Sequence, residues 1–211
     1  MKRLERKHAL AVRWFHWINF PLLAVMVWSG AMIYWANQVY LLKFSEQMWQ
    51  KLHLAFRLAE GMAIHFFFMW LFAINGVAYV LYTIISGEWR ELVPDRRSFV
   101  QAIQVTLHDL HLRREAPPQG KYNGAQRIAY TAIVLMGFLS LVSGLAIYKP
   151  VQFKWLAWLL GGYQGARFVH YWMTIGYVVF FVVHIAQVIR TGWNNFRAMV
   201  IGVELREVAD E

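Results

Sequence analysis

The sequence predicts an all-α membrane protein, a four-transmembrane-helix bundle with interfacial helices and both termini in the cytoplasm. Of its 211 residues, 59% are hydrophobic and only 16% are charged, a balance typical of membrane proteins. Four apolar runs are each long enough to cross a bilayer core, which takes roughly 20 residues. The predicted spans lie at about 14–36, 62–86, 128–148 and 168–189, within a single integral-membrane domain covering residues 1–211.

The first span is predicted to stay uncleaved. Residues 1–13 are basic and precede an apolar run, as in a signal peptide. That run is too long for a signal peptide and offers no convincing cleavage site. Pro21 lies inside the run and is expected to kink the helix.

The distribution of basic residues predicts the topology. Fifteen of the 21 Lys and Arg lie in the N-terminus, the segment 87–127 and the C-terminal tail, whereas six lie in the two opposite loops. Positive charge concentrates on the cytoplasmic side of a membrane protein, so both termini are predicted to be cytoplasmic. The same asymmetry explains the net charge of +9, and we expect a lipid partner but no nucleic acid.

The connecting segments are predicted to differ in character. Residues 37–61 and residues 151–163 mix apolar and polar side chains at helical spacing, which predicts interfacial helices. Residues 87–127 form the longest polar segment, in which PPQG at 117–120 is a turn signal. We expect no internal repeat, no low-complexity segment and no soluble domain.

The chain contains no cysteine. This excludes iron–sulfur clusters, cysteine zinc sites, disulfides and a covalently attached c-type haem. Any bound metal or haem must therefore be held by histidine, methionine or carboxylate side chains.

The fourth predicted span carries two histidines. His170 and His184 are fourteen residues apart, so they leave nearly the same helix face, about 21 Å apart along the axis. Ionisable groups inside a span are costly and usually functional. The spacing favours a helix that supplies one ligand to each of two stacked haems over two isolated histidines satisfied by neighbouring helices.

The other span histidines pair with these two by depth. His65 lies near the outer end of the second span, at the depth of His170, and His16 lies near the inner end of the first, at the depth of His184. Two bis-histidine haems follow as a prediction. Further histidines are weaker candidates: His53 as the outer ligand, His8 as the inner ligand, and His108 with His111 as an HxxH pair, for which a solvated helix face is favoured.

Nearby residues provide supporting signals. Arg13 and Arg167 each precede a proposed ligand by three residues and share its helix face. We expect them to meet haem propionates, with interfacial snorkelling as the alternative. Small residues that would let a helix approach a haem, or simply pack closely, are Gly30, Gly76, Gly137, Gly144 and Gly176.

Several motifs resemble those of a known family. They are WFHW at 14–17, His65 at the start of the second span, KYNGAQRIAY at 121–130, and the paired histidines of the fourth span. Together they resemble the bacterial di-haem cytochrome b superfamily, the b-type subunits of membrane-bound nickel–iron hydrogenase, periplasmic formate dehydrogenase and thiosulfate reductase. The resemblance covers essentially the whole chain.

The resemblance implies a function and a location. It implies two haem b groups in the bacterial inner membrane and electron transfer between a periplasmic redox subunit of hydrogenase, molybdoenzyme or iron–sulfur type and the membrane quinone pool. A quinone site would lie near the inner haem, around His16 and His184.

Two other functions stay open. One is a stand-alone quinone reductase that oxidises a small reductant such as superoxide. The other, from a different class, is a haem-free transporter or proton relay, which four spans without internal symmetry disfavour.

Overall fold

The computed structural model describes residues 2–109, 111–115 and 122–207. The described chain is almost entirely helical, with one short pair of strands. The elements in chain order are β1 Lys2–Arg6, α1 Leu10–Trp35, α2 Glu46–Lys51, α3 Leu58–Ser86, α4 Trp89–Leu92, α5 Arg96–Asp109, α6 Gly124–Tyr148, α7 Lys154–Leu159, α8 Gly162–Thr191, α9 Trp193–Ile201 and β2 Val203–Glu207. This confirms the predicted all-α class.

Four of the described helices, α1, α3, α6 and α8, are long and apolar enough to cross a membrane. They match the four predicted spans, but each begins four to six residues earlier than the apolar run does. The early turns contain polar residues such as Arg13 and Arg167. A helix can continue into the polar interface, so hydropathy marks the bilayer core and not the first hydrogen-bonded turn.

The chain divides into two compact units, residues 9–78 and residues 1–8 together with 79–211. In the first unit, α1 contacts α3 closely at Gly61, where an added Cβ would lie 2.6 Å from Met32 Cβ. Met32 is fully buried and packs with Trp49 of α2. Pro21 lies inside α1, and the helix continues past it.

The predicted interfacial helix over 37–61 is wrong in extent, because only α2 and the first turn of α3 are helical there. The chain leaves α2 through His53 and Phe56, whose φ angles are +55° and +59°. That left-handed conformation ends a right-handed helix. In the second unit, α7 forms within the predicted segment 151–163, but α8 already begins at Gly162.

The described part of the segment 87–127 contains two helices, α4 and α5, although the segment is polar. Gly124 starts α6 directly against α5, since an added Cβ would clash with the Ser98 carbonyl oxygen. His108 lies in the last turn of α5, whereas His111 follows the helix in a left-handed conformation with a φ of +60°. The two histidines of the HxxH pair therefore do not share a helix. Among the described residues, no three His, Asp or Glu side chains group as a metal site. The PPQG turn lies outside the described residues.

The two ends of the chain pair in the second unit. Strands β1 and β2 are antiparallel, with Lys2 opposite Glu207 and Arg6 opposite Val203. Lys7 Nζ donates to Glu204 Oε2 over 2.6 Å. The pairing was not predicted from the sequence, and it agrees with the same-side termini that four spans require.

Asp95 precedes α5 and caps it. Ser98 Oγ donates to Asp95 Oδ1 over 2.7 Å, and the Ser98 N–H donates to the same oxygen over 2.8 Å. These bonds hold the pKa of Asp95 below its ordinary value. The stabilisation is therefore present above the unfolded pKa of about 3.9 and is lost as pH falls through the lowered pKa.

We expect Asp95→Ala to lower the thermal melting temperature at pH 7. The gap between variant and wild type should close in acid, because the wild-type carboxylate is then protonated. Melting curves of both proteins across pH 2–7 test this, and a gap that stays constant with pH would contradict it.

Candidate haem-binding site

His65 is held by a serine within the first unit. It lies in the second turn of α3 and faces α1, where Ser29 is fully buried. Ser29 Oγ lies 2.9 Å from His65 Nδ1. The next residue, Gly30, is also beside the ring, since an added Cβ would lie 3.6 Å from His65 Cε1.

His170 has the same arrangement within the second unit. It lies in the third turn of α8 and faces α6, where Ser143 is fully buried. Ser143 Oγ lies 3.1 Å from His170 Nδ1. Gly144 follows, and an added Cβ would lie 3.3 Å from His170 Cε1, which is tight enough to displace the ring.

A short repeated motif carries both arrangements. Residues 28–35 read WSGAMIYW and residues 142–149 read VSGLAIYK, so α1 and α6 share the pattern Ser-Gly-x-x-Ile-Tyr. Sequence reasoning predicted no repeat and did not single out either serine. The signal was available as this six-residue pattern near the end of the first and third spans.

The five glycines considered above have different surroundings. Gly30 and Gly144 contact the histidine rings. An added Cβ at Gly137 would lie 3.2 Å from Tyr177 Oη, and one at Gly176 would lie 2.7 Å from Met136 Cε. An added Cβ at Gly76 would meet nothing within 4 Å. Only two of the five therefore line a proposed ligand within its own unit.

The proposed inner ligands have aromatic neighbours. In the first unit, His16 on α1 contacts Trp17 edge to face, with ring centroids 5.0 Å apart. In the second unit, His184 on α8 stacks on Phe180, with centroids 5.8 Å apart and an interplanar angle of 9°. Aromatic packing restrains the orientation of each imidazole.

The weaker candidates lie outside the spanning helices. His53 is exposed on the loop after α2, and its carbonyl oxygen accepts from Arg57. His8 precedes α1 and is buried beside Tyr122. The two rings stack with their centroids 6.4 Å apart. Burial raises the pKa of the Tyr122 hydroxyl, so this side chain stays neutral.

The two arginines lie where the sequence places them. Arg13 is in the first turn of α1 and Arg167 in the second turn of α8, each one turn before a proposed ligand. Arg167 also donates to Gln164 Oε1 over 3.3 Å. Both are partly buried, as is usual for arginines at a membrane interface.

The residues present fit a haem. Imidazole is a common axial ligand of haem iron, and a ligating histidine usually engages its other ring nitrogen in a hydrogen bond. His65 and His170 meet that requirement, because a buried serine holds Nδ1 and leaves Nε2 for the iron. A small residue beside each ring leaves room for a flat group.

Comparisons with known proteins agree with this chemistry. The family model for prokaryotic cytochrome b561 matches residues 7–202. A protein of Azospira oryzae, provisionally named protein-methionine-sulfoxide reductase subunit YedZ1, is 33% identical over 189 residues, covering 89% of this chain and 92% of the relative. With four apolar helices, these matches support a multi-pass bacterial membrane protein with a haem b electron-transfer role. The chain belongs to the prokaryotic cytochrome b561 family.

Proposed function

We propose that the chain is a membrane-anchoring di-haem cytochrome b subunit of the bacterial inner membrane. It transfers electrons between a periplasmic redox partner and the membrane quinone pool, and residues 1–211 act as one functional domain. The observation that carries this proposal is the repeated serine–histidine contact, because it prepares one histidine on α3 and one on α8 for iron ligation in the same way.

The ligand assignment follows from depth along the spans. His65 and His170 hold the outer haem, and His16 and His184 hold the inner haem. Arg13 and Arg167 are proposed to neutralise propionates. When bound, haem would supply reversible one-electron transfer. The chain contributes ligand orientation and an apolar shell that sets the potentials.

The relative's name supports a protein partner. It describes a subunit of a protein-methionine-sulfoxide reductase, and a subunit has at least one companion. The segments predicted to face the periplasm, 37–61 and 149–167, are also long enough to form a docking surface. This favours a docked redox subunit over a stand-alone reductase, and family membership disfavours a haem-free transporter.

Quinone exchange tests the electron-transfer half of the proposal. Oxidised, purified protein is mixed anaerobically with decylubiquinol or menadiol, and the haem α-band is followed by stopped-flow absorbance. We expect the haems to become reduced, and excess quinone to reoxidise dithionite-reduced protein. A His184→Leu variant should exchange much more slowly, because it lacks the inner haem. Haems that respond to dithionite but never to quinol or quinone would contradict the proposal.

A further inference from the structure

We propose that Ser29 and Ser143 are positioning residues of the outer haem. Each serine fixes its histidine as the Nδ1–H tautomer, strengthens Nε2 as a ligand and so stabilises the oxidised iron. This inference rests on the proposed ligand pair His65 and His170. It goes beyond that pair by assigning a role to two serines, by giving the direction of each serine–histidine hydrogen bond, and by limiting the effect to one haem.

The hydrogen-bond direction follows from counting protons at Ser29. A serine hydroxyl has one proton to donate and two lone pairs to accept with. Ser29 Oγ donates to the Val25 carbonyl oxygen over 2.7 Å, so its proton is used within α1. The contact of 2.9 Å with His65 Nδ1 must then run from the ring N–H to the serine oxygen.

Ser143 repeats this pattern. Ser143 Oγ donates to the Leu139 carbonyl oxygen over 2.6 Å and lies 3.1 Å from His170 Nδ1. The His170 ring also donates to the backbone carbonyl of Ser140. A carbonyl oxygen only accepts, and Ser143 Oγ lies 3.3 Å from this one. Because the Ser143 proton is used within α6, the His170 Nδ1–H donates to the serine oxygen, as at His65.

The tautomer has a chemical consequence for the ligand. With the proton on Nδ1, the Nε2 lone pair is free to bind iron. Donating the Nδ1 proton to an acceptor raises the basicity of the ligating nitrogen, which favours ferric over ferrous iron. Both serines are fully buried, so water does not replace the acceptor when the hydroxyl is removed. His170 then keeps the Ser140 carbonyl as its acceptor, whereas His65 depends on Ser29.

The repeat covers the outer ligands and leaves out the inner ones. Thirteen residues before the serine, α1 carries His16 whereas α6 carries Tyr130. Fourteen residues after the outer ligand, α3 carries Tyr79 whereas α8 carries His184. The shared Ser-Gly pair therefore contacts only the proposed outer ligands. Removing the serine hydroxyl should affect the outer haem and not the inner one.

The alternative is that the serines only satisfy their own helix carbonyls. Redox titration separates the two roles, because a packing serine would not move a midpoint potential. The variants are Ser29→Ala and Ser143→Ala in the full chain with its haems. The matched control is Thr83→Val, which removes a buried hydroxyl that donates to the Val80 carbonyl of α3.

We expect each alanine variant to raise the potential of the same haem. At a fixed potential the ratio of oxidised to reduced form of that haem should fall about tenfold in Ser29→Ala, which is 59 mV for one electron. The ratio should fall less in Ser143→Ala, because the Ser140 carbonyl still accepts from His170. The other haem and the Thr83→Val protein should titrate as wild type. Ser29→Thr and Ser143→Thr keep an acceptor oxygen and should restore the wild-type potential.

Unchanged potentials in both alanine variants would overturn the proposal while leaving the di-haem function intact. Shifts in different haems would also overturn it, because the serines would not act on one outer haem. If an alanine variant loses haem, retention in the threonine variant supports the acceptor role, and loss in both overturns it. Failure of the proposed function is a separate result, since the wild type itself would then lack two haems.

Discussion

A His170→Leu variant is expected to retain one haem b per chain where the wild type holds about two. Leucine fills a similar volume but cannot ligate iron, and the outer haem would lose an axial ligand. The remaining haem should keep its spectrum, because the inner ligands are unchanged. The haem concentration of the purified variant, measured by the pyridine haemochrome assay and divided by the chain concentration, gives the count.

Two further variants make this result specific. His65→Leu should lose the same haem as His170→Leu, identified by its midpoint potential. The control is His53→Asn, since asparagine tolerates the left-handed conformation that His53 adopts, and this variant should keep both haems. Two haems in His170→Leu would contradict the ligand assignment. Loss of a haem in His53→Asn together with retention in His65→Leu would move the outer ligand to His53.

Gly61→Ala is expected to destabilise the first unit by about 1–3 kcal/mol, the usual cost of overpacking, and to impair binding of the outer haem. The added Cβ would lie 2.6 Å from Met32 Cβ and 3.1 Å from the Ser29 carbonyl oxygen. Neither atom is the end of a flexible side chain, so α1 must move away from α3. That movement would lengthen the contact between Ser29 Oγ and His65 Nδ1, which are 2.9 Å apart.

Gly76→Ala is the matched control for this effect. It lies in the same helix, and an added Cβ there meets nothing within 4 Å. Alanine is also the better helix former, so this variant should keep wild-type stability. Melting curves of the two variants provide the comparison, and the haem ratio of Gly61→Ala is compared with that of the wild type. Equal melting temperatures of Gly61→Ala and Gly76→Ala, with wild-type haem content in Gly61→Ala, would show that the helix contact at Gly61 does not position the ligand.

The spans and the proposed ligands were accessible from the sequence for a physical reason. Crossing a bilayer needs a long apolar run, and a histidine within such a run stands out against it. His16, His65, His170 and His184 were therefore proposed from their position within the spans. The first residues of α1 and α8 were not predicted, since the first turns are polar and the hydropathy signal stops at the interface.

Other features depend on partners that are distant in sequence. The pairing of Lys2–Arg6 with Val203–Glu207 joins two segments that each read as polar tails. Helix α5 is a short element with charged residues, and its position comes from its contact with α6 at Gly124. The strand pairing leaves no periodic signal in either segment.

The role of the serines was missed because serine is ordinary in membrane helices. Ser29 and Ser143 become distinctive only when the histidine that each contacts is known. The shared six-residue pattern of α1 and α6 would have pointed to them, but the two copies are more than a hundred residues apart. Searching the spans pairwise for short repeats beside candidate ligands would have found it.

The most direct measurement is the haem content of the wild-type chain. Purified protein is reduced with dithionite, the reduced-minus-oxidised spectrum is recorded, and haem b is counted per chain by pyridine haemochrome. Two bis-histidine sites predict about two haems with low-spin b-type bands. A fully loaded, folded preparation with one haem would contradict one of the two histidine pairs, and a preparation with none would contradict the account as a whole.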